Sequence, residues 1–428
     1  MLAIYSLILT LGFLLMLPLF LLRREKYAAG FAERLGRYRK FEHDGRPVIW
    51  LHCVSVGETN AARPLFDELI DRFPGHRLVI STTTKTGQEL ARGIFRDKAA
   101  DVVYFPFDWK FSVRKALEVY KPSLVLLMET EIWPRFIREA KASGARVAIV
   151  NGRLSERSVR RYAKVGRLVR EVLAAVDLAL MQNEKDAQRI VLLGIDESKV
   201  KVTGNLKYDH SVNENEDALT AEIRERFGIN GETPLIVAAS THDTEEEHVL
   251  KALEMSGRPF RLLIAPRHPE RFDAVANLVA PQHSLSRRSE PAKESDKSAG
   301  VILLDSIGEL RSAYPLADIV FVGGSLIPHG GQSVLEPAAA GKAIVTGPHT
   351  HNFASAISEF AAHDAVIEVK AGDDHRRELS AVFSDLLSHT DKRRRLGENA
   401  SAVMAANRGA TSRTVLELER MMANASVG

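Results

Sequence analysis

The sequence predicts an α/β protein of two wound domains, each a parallel sheet covered by helices, with a short apolar helix in front. Three observations predict it. From Val48 onward, short runs rich in Val, Ile and Leu alternate with longer amphipathic stretches, the pattern of buried parallel strands joined by crossover helices. The alternation occurs twice, on either side of a polar, aperiodic stretch at 204–217 (GNLKYDHSVNENED). The length of 428 residues also exceeds what one ordinary core holds.

The elements follow in chain order. Residues 2–22 carry no charge and reach the roughly 20 residues of a spanning helix. Arg23, Arg24 and Lys26 follow directly and nothing basic precedes, so residues 1–24 read as a membrane anchor with the domains on the cytoplasmic side. A cleaved signal peptide would want a positive region before a shorter apolar core. Gly12 and Pro18 leave open a helix that dips into one leaflet. In the first domain, 25–210, the runs at 48–52, 77–82, 102–105, 124–128, 146–151 and 178–182 read as strands. In the second, 211–428, the strands are 235–240, 260–265, 301–304, 319–324 and 343–347. Residues 284–299 lack an apolar period and read as a mobile surface loop. Three helical patterns from 373 to 422 close the chain, and the last can pack back across the domain junction. Two such domains facing a cleft would line it with loops at strand C-termini, where wound sheets bind ligands.

Composition limits the chemistry. Hydrophobic residues at 45% and charged residues at 26% describe a chain that folds. Lys plus Arg number 58 against 55 Asp plus Glu, so no broad footprint for nucleic acid exists. The single cysteine, Cys53, excludes an internal disulfide and a cysteine-built zinc cluster.

Candidate chemistry sits where strands hand over to helices. In HCVSVGETNAARP (52–64), Gly57 lets backbone approach a ligand, and Glu58 opens a helix. Glu58 is either a general base over a sugar hydroxyl or a first-turn acid favoured by the helix dipole. In LLMETEIWPRF (126–136), Glu129 and Glu131 follow an apolar strand; Glu131 also fits a local cap, and Trp133 fits the core better than a sugar platform. Lys207 lies at the domain junction.

The second half holds a set suited to a nucleotide. Arg267 and His268 precede a helix begun by Pro269, an arrangement that favours an anion. Ser306 to Glu309 form a second loop-to-helix start, and Gly330 and Gly331 belong to a third that ends in Glu336, a carboxylate suited to ribose hydroxyls. Those glycines fit either a phosphate cradle or tight turns. GxGxxG and GxxxxGK[ST] are absent, which argues against dinucleotide binding and ATP hydrolysis. No Asp-x-Asp pair occurs, and His349 and His351 lack an evident third ligand, so no metal is expected.

Taken in order, HCVSVGE, METEIWP, NGRLSERS, GNLKYD, PRHPERF, DSIGEL, FVGGSL and GPHTHNF resemble the 3-deoxy-D-manno-octulosonic acid (Kdo) transferases of Gram-negative bacteria. The resemblance implies a GT-B fold and an N-terminal anchor. It implies a metal-independent, inverting transfer of Kdo from CMP-Kdo to the lipid A precursor at the cytoplasmic face of the inner membrane. It makes Glu58 the proton acceptor, with Glu129 and Lys207 as transition-state stabilisers. Pro266 and Arg267, the loop Ile307, Gly308 and Glu309, and the segment Ser333, Val334, Leu335 and Glu336 would hold CMP. Here GGQSVLE replaces the family's GGHNPLE, which weakens Ser333 as a side-chain contact, and His351 stands where an aromatic residue is expected. The competing readings are another GT-B enzyme, such as a nucleotide-sugar epimerase or a uridine-donor transferase, and a membrane-tethered protein that binds an anionic lipid without chemistry.

Overall fold

The computed structural model describes residues 1–22, 29–209, 214–370 and 375–423, without the side chains of 19–22 and 214–216. Arg23, Arg24 and Lys26, and the expected 210/211 boundary, lie outside the described residues. The chain forms two compact units, Met1–Asp209 with Asn407–Gly428, and His210–Ala406.

The first unit is built on seven strands: β1 (Val48–Cys53), β2 (Arg77–Thr82), β3 (Asp101–Tyr104), β4 (Pro122–Met128), β5 (Arg146–Gly152), β6 (Leu178–Met181) and β7 (Val200–Val202). They lie in the order β3-β2-β1-β4-β5-β6-β7, all parallel. Every residue of β1 is buried, as a strand covered on both faces requires. Trp50, Tyr120, Phe105 and Phe136 fill one face, and Leu51, Phe66 and Phe95 fill the other. Strand order reverses direction between β1 and β4, so their C-terminal ends open a crevice at this switch point.

The second unit repeats the plan with β8 (Leu235–Thr241), β9 (Arg261–Pro266), β10 (Leu285–Arg287), β11 (Val301–Leu303), β12 (Ile319–Val322), β13 (Ala343–Thr346) and β14 (Ile367–Glu368). Its order is β10-β11-β9-β8-β12-β13-β14, again parallel, with the switch point between β8 and β12.

The stretch 284–299 differs from the mobile loop expected. It supplies edge strand β10 and a 3-10 turn at Glu294–Ser298. Polar atoms order it: the Arg226 guanidinium donates to Asp296 and to the carbonyls of Arg287, Arg288 and Glu290. Such bonds leave no hydrophobic period in the sequence.

The N-terminal segment forms the helix Leu2–Leu22. Among the described residues, no helix is long and apolar enough to cross a membrane, so the spanning anchor expected from the sequence finds no support there. The helix instead lays a polar stripe on the first unit. Tyr5 hydrogen-bonds Asp108, Arg135 donates to Ser6 Oγ (2.9 Å) and the Leu2 carbonyl (3.0 Å), and Trp109 Nε1 donates to Thr10 Oγ1 (3.0 Å). Phe13 packs edge-on against Trp109 and Phe107. Ile4, Leu7, Ile8, Leu11, Leu14 and Leu15 on other faces stay exposed.

The last helix, Ala410–Ala423, packs against helix Arg63–Arg72 and adds Ala410, Val415, Leu418 and Met421 to the first unit's core. Asp209 accepts the Gly409 N–H (2.7 Å) and the Thr411 N–H (2.6 Å) at its start. The final helix thus belongs to the unit the chain began with.

Candidate active site

At the first switch point β1 ends in Cys53, Ser55 is extended, and the short helix Val56–Ala61 turns Glu58 back onto the strand end. Glu58 is only 6% exposed. Its Oε2 accepts the Val54 N–H at 2.8 Å and its Oε1 accepts the Ser55 hydroxyl at 3.2 Å. Burial pushes its carboxyl up to about 8, helped by the charges of Glu129 and Glu131 and opposed by the Val54 and Ser55 bonds. A carboxyl tuned near neutrality in a crevice is suited to proton transfer. The cap bonds expected of a first-turn acid are present in the same side chain.

Glu129 stands one residue beyond β4 with φ 54°, a left-handed backbone uncommon for a non-glycine residue. Its Oε1 receives Lys207 Nζ at 3.1 Å, with both side chains about a quarter exposed (25% and 28%). Burial, then the charge of Glu129, pushes Glu131 upward. The sequence-derived Glu58, Glu129 and Lys207 are therefore gathered at one strand edge, with Glu131 beside them.

Two residues that sequence reasoning passed over hold this group in place. Thr130 Oγ1 donates to the Arg153 carbonyl (2.7 Å) and accepts the Arg153 N–H (2.9 Å), tying the loop after β4 to the loop after β5. Asn151, buried and also left-handed at φ 54°, accepts the Leu206 N–H at 3.0 Å and so fixes the turn that carries Lys207. The signal for Asn151 was present in NGRLSERS and that for Thr130 in METEIWP, where polar residues meet the end of an apolar strand.

In the second unit, Pro266 closes β9 and Arg267 follows it, exposed, its backbone N–H bonded to the Thr241 carbonyl (2.9 Å). Ile307 is 82% exposed and Gly308 has φ 91°, so this loop offers backbone to a ligand. Glu309 is already engaged: Arg288 grips both its oxygens (2.8 and 3.2 Å) and Ser306 Oγ donates at 2.9 Å. Burial raises it, but these bonds outweigh burial and leave it below the usual carboxylate range. Val334 and Leu335 are buried in the core, which leaves them backbone contacts only. Ser333 Oγ accepts the Leu335 N–H at 3.3 Å. Glu336 meets Arg311 Nε at 2.8 Å, joining the loops after β11 and β12. Among the described residues, no group of three His, Cys, Asp or Glu is placed to hold a metal ion.

Glu245 organises these loops and was also missed. Fully buried, its Oε2 accepts the N–H groups of His242 (2.9 Å) and Gly324 (2.6 Å), and its Oε1 those of Ser325 and Leu326 (2.9 Å each). Burial raises its pKa against the pull of those four donors. Gly323 makes the same approach possible, since a Cβ there would lie 2.6 Å from the Ser240 carbonyl oxygen.

Comparison with known proteins now bears on this geometry. The family model described as 3-deoxy-D-manno-octulosonic-acid transferase (kdotransferase) matches residues 29–210. A 3-deoxy-D-manno-octulosonic acid transferase of Haemophilus influenzae is 35% identical over 391 residues, 91% of this chain and 90% of that protein. One from Bordetella pertussis is 35% identical over 385 residues, 87% and 86% of the two chains. Among solved structures, a UDP-GlcNAc 2-epimerase from Neisseria meningitidis aligns with a TM-score of 0.58 at 15% identity, covering 87% of this chain and 100% of that one. That likeness shows the fold alone, of GT-B-like type. With the relatives matched over nearly their whole length, the chain belongs to the 3-deoxy-D-manno-octulosonic acid transferase family of glycosyltransferases.

Proposed function

We propose that this transferase moves Kdo from CMP-Kdo to the lipid A precursor in a single inverting displacement, with Glu58 as general base. The observation that carries the reading is the Glu58 carboxyl, buried beside the Glu129–Lys207 pair and tuned to about 8. In this reading Glu58 takes the proton of the acceptor hydroxyl as its oxygen attacks the anomeric carbon and CMP leaves. Lys207, steadied by Glu129, supplies positive charge where negative charge develops. Pro266, Arg267, the backbone of Ile307 and Gly308, and the segment Ser333 to Glu336 hold the nucleotide. A monophosphate leaving group carries less charge than a diphosphate, so a guanidinium and backbone N–H groups are sufficient to stabilise it.

The same reading puts the chain at the cytoplasmic face of the inner membrane, held by the N-terminal helix. Support comes from the exposed Ile4, Leu7, Ile8, Leu11, Leu14 and Leu15 on a helix whose polar stripe is committed to the first unit. Incubation with CMP-Kdo and lipid A precursor, read by mass, tests the function. One or more Kdo increments on the lipid support it; release of free sugar with no lipid product, or no turnover, counts against it.

A further inference from the structure

His268, read above as facing an anion, meets two further histidines at the second unit's strand ends. His242 follows β8, His268 follows β9 and His329 lies in the loop after β12. The His242 ring stands 4.1 Å from that of His329 and 5.3 Å from that of His268, centroid to centroid. His242 is 7% exposed, whereas His268 and His329 are open to solvent. Gln332 Nε2 lies 3.3 Å from His242 Nε2. The arrangement is a buried imidazole behind two accessible ones.

The charges around it lack balance. Arg267 and Arg271 both act on His242. Arg271 is neutralised by Asp243 (2.9 Å) and Glu246 (2.6 Å). Glu246 also accepts the Thr241 hydroxyl, and Glu245 is saturated by four backbone N–H groups. The remaining carboxylate, Glu270, is 3.8 Å from His268 Nδ1. Three imidazoles and Arg267 therefore gather around His242 with, among the described residues, a single long carboxylate contact, that of Glu270 to His268. A guanidinium with imidazole N–H groups beside it forms a receptor for an anion.

We propose that His242, His268 and His329, with Arg267 beside them, form the anion subsite of the donor, their ring N–H groups donating to the sugar's carboxylate or to the nucleotide's phosphate. The inference rests on the reading of the second unit as the donor site. Burial, then the neighbouring His329, His268, Arg267 and Arg271, holds His242 down to about 4, so the empty pocket keeps it neutral. An arriving anion reverses the electrostatic part of that balance. Donor binding then takes up a proton, and affinity falls as pH rises.

The test uses the full chain and the variants His242→Gln, His268→Gln and His329→Gln. The exposed His268 and His329 carry little packing, so those two keep the test readable if His242→Gln loses stability. CMP affinity is read by calorimetry in buffers of different ionisation enthalpy, and kcat/KM is read with CMP-Kdo. If the phosphate is held, CMP affinity falls on the order of tenfold to a hundredfold, the worth of a hydrogen bond to a charged group, and proton uptake drops. If the carboxylate is held, CMP affinity is unchanged and kcat/KM for CMP-Kdo falls by a similar factor. Folded variants that match wild type within about twofold in both measurements overturn the proposal. Wild-type protein that makes no product with CMP-Kdo refutes the transfer reading separately, and an unchanged CMP affinity in that case overturns the subsite as well.

Discussion

Replacing Glu58 with Gln keeps the side chain's size and its acceptor for the Val54 N–H, and removes its capacity to take a proton. The magnitude follows from a carboxyl titrating near 8. At pH 7 about one molecule in ten carries the base form, so wild-type kcat/KM should rise about tenfold between pH 7 and pH 9 and level off above that. Glu58→Gln should lose on the order of 100-fold to 10,000-fold in turnover and the pH rise with it. Stability gives a second reading of the same shift. The folded pKa lies above the ordinary 4.5, so the native state holds the extra proton between those values, and stability present at low pH is lost as pH climbs through that window. The slope is about 1.4 kcal/mol per pH unit, or roughly 2–3 kcal/mol between pH 5.5 and 7.5. Urea unfolding of wild type and Glu58→Gln at those two pH values should diverge by that amount, the variant being the less pH-sensitive. A side chain that only caps its helix would change stability by at most about 1 kcal/mol and leave turnover near normal. Near-normal turnover in a folded Glu58→Gln protein, with a flat wild-type pH profile, refutes the assignment and shifts attention to Glu131.

Arg267→Ala should weaken CMP binding by about 1.5–3 kcal/mol, measured by calorimetry; unchanged affinity would mean the nucleotide lies elsewhere. Lys207→Met should lower kcat on the order of 100-fold with CMP affinity unaltered, as expected of a group that acts on the transition state and not on the bound nucleotide. Glu245→Gln places an NH₂ against backbone donors that now meet a carboxylate, and should cost about 2–4 kcal/mol in denaturant unfolding. Deleting residues 1–22 should lower activity more on membrane-embedded acceptor than on detergent-dispersed acceptor. Because Asp108, Trp109 and Arg135 lose partners with the helix, the truncated chain should also unfold at lower temperature. Equal activity losses on both acceptors would make the helix purely part of the fold.

The sequence carried the long buried strands and the residues at their ends, because parallel strands covered on both faces leave unbroken Val, Ile and Leu runs. Edge strands β7, β10 and β14 went unseen: each is two or three residues long, and VKV, LSR and IE have no period to read. Glu58 and Glu129 were legible as acids where an apolar strand hands over to a helix, whereas Lys207 showed only as a cation at the predicted junction. Glu245 was not, because three acids at 245–247 look like a solvated helix start, whereas two of them are buried. The docked face of the N-terminal helix was written in Tyr5, Ser6 and Thr10, which share one side of an otherwise apolar segment. Their spacing shows a stripe, but its partners lie about a hundred residues or more away in the chain.

The return of the last helix to the first unit sets an order on biosynthesis. Residues 210–406 form a continuous unit whose sheet can close once its own segment has left the ribosome. The earlier-made unit cannot. Helix Arg63–Arg72 waits for Ala410, Val415, Leu418 and Met421, which are made only after the whole second unit. A nascent or prematurely stopped chain therefore displays an incomplete core in its first half, which is the surface a chaperone or protease would recognise.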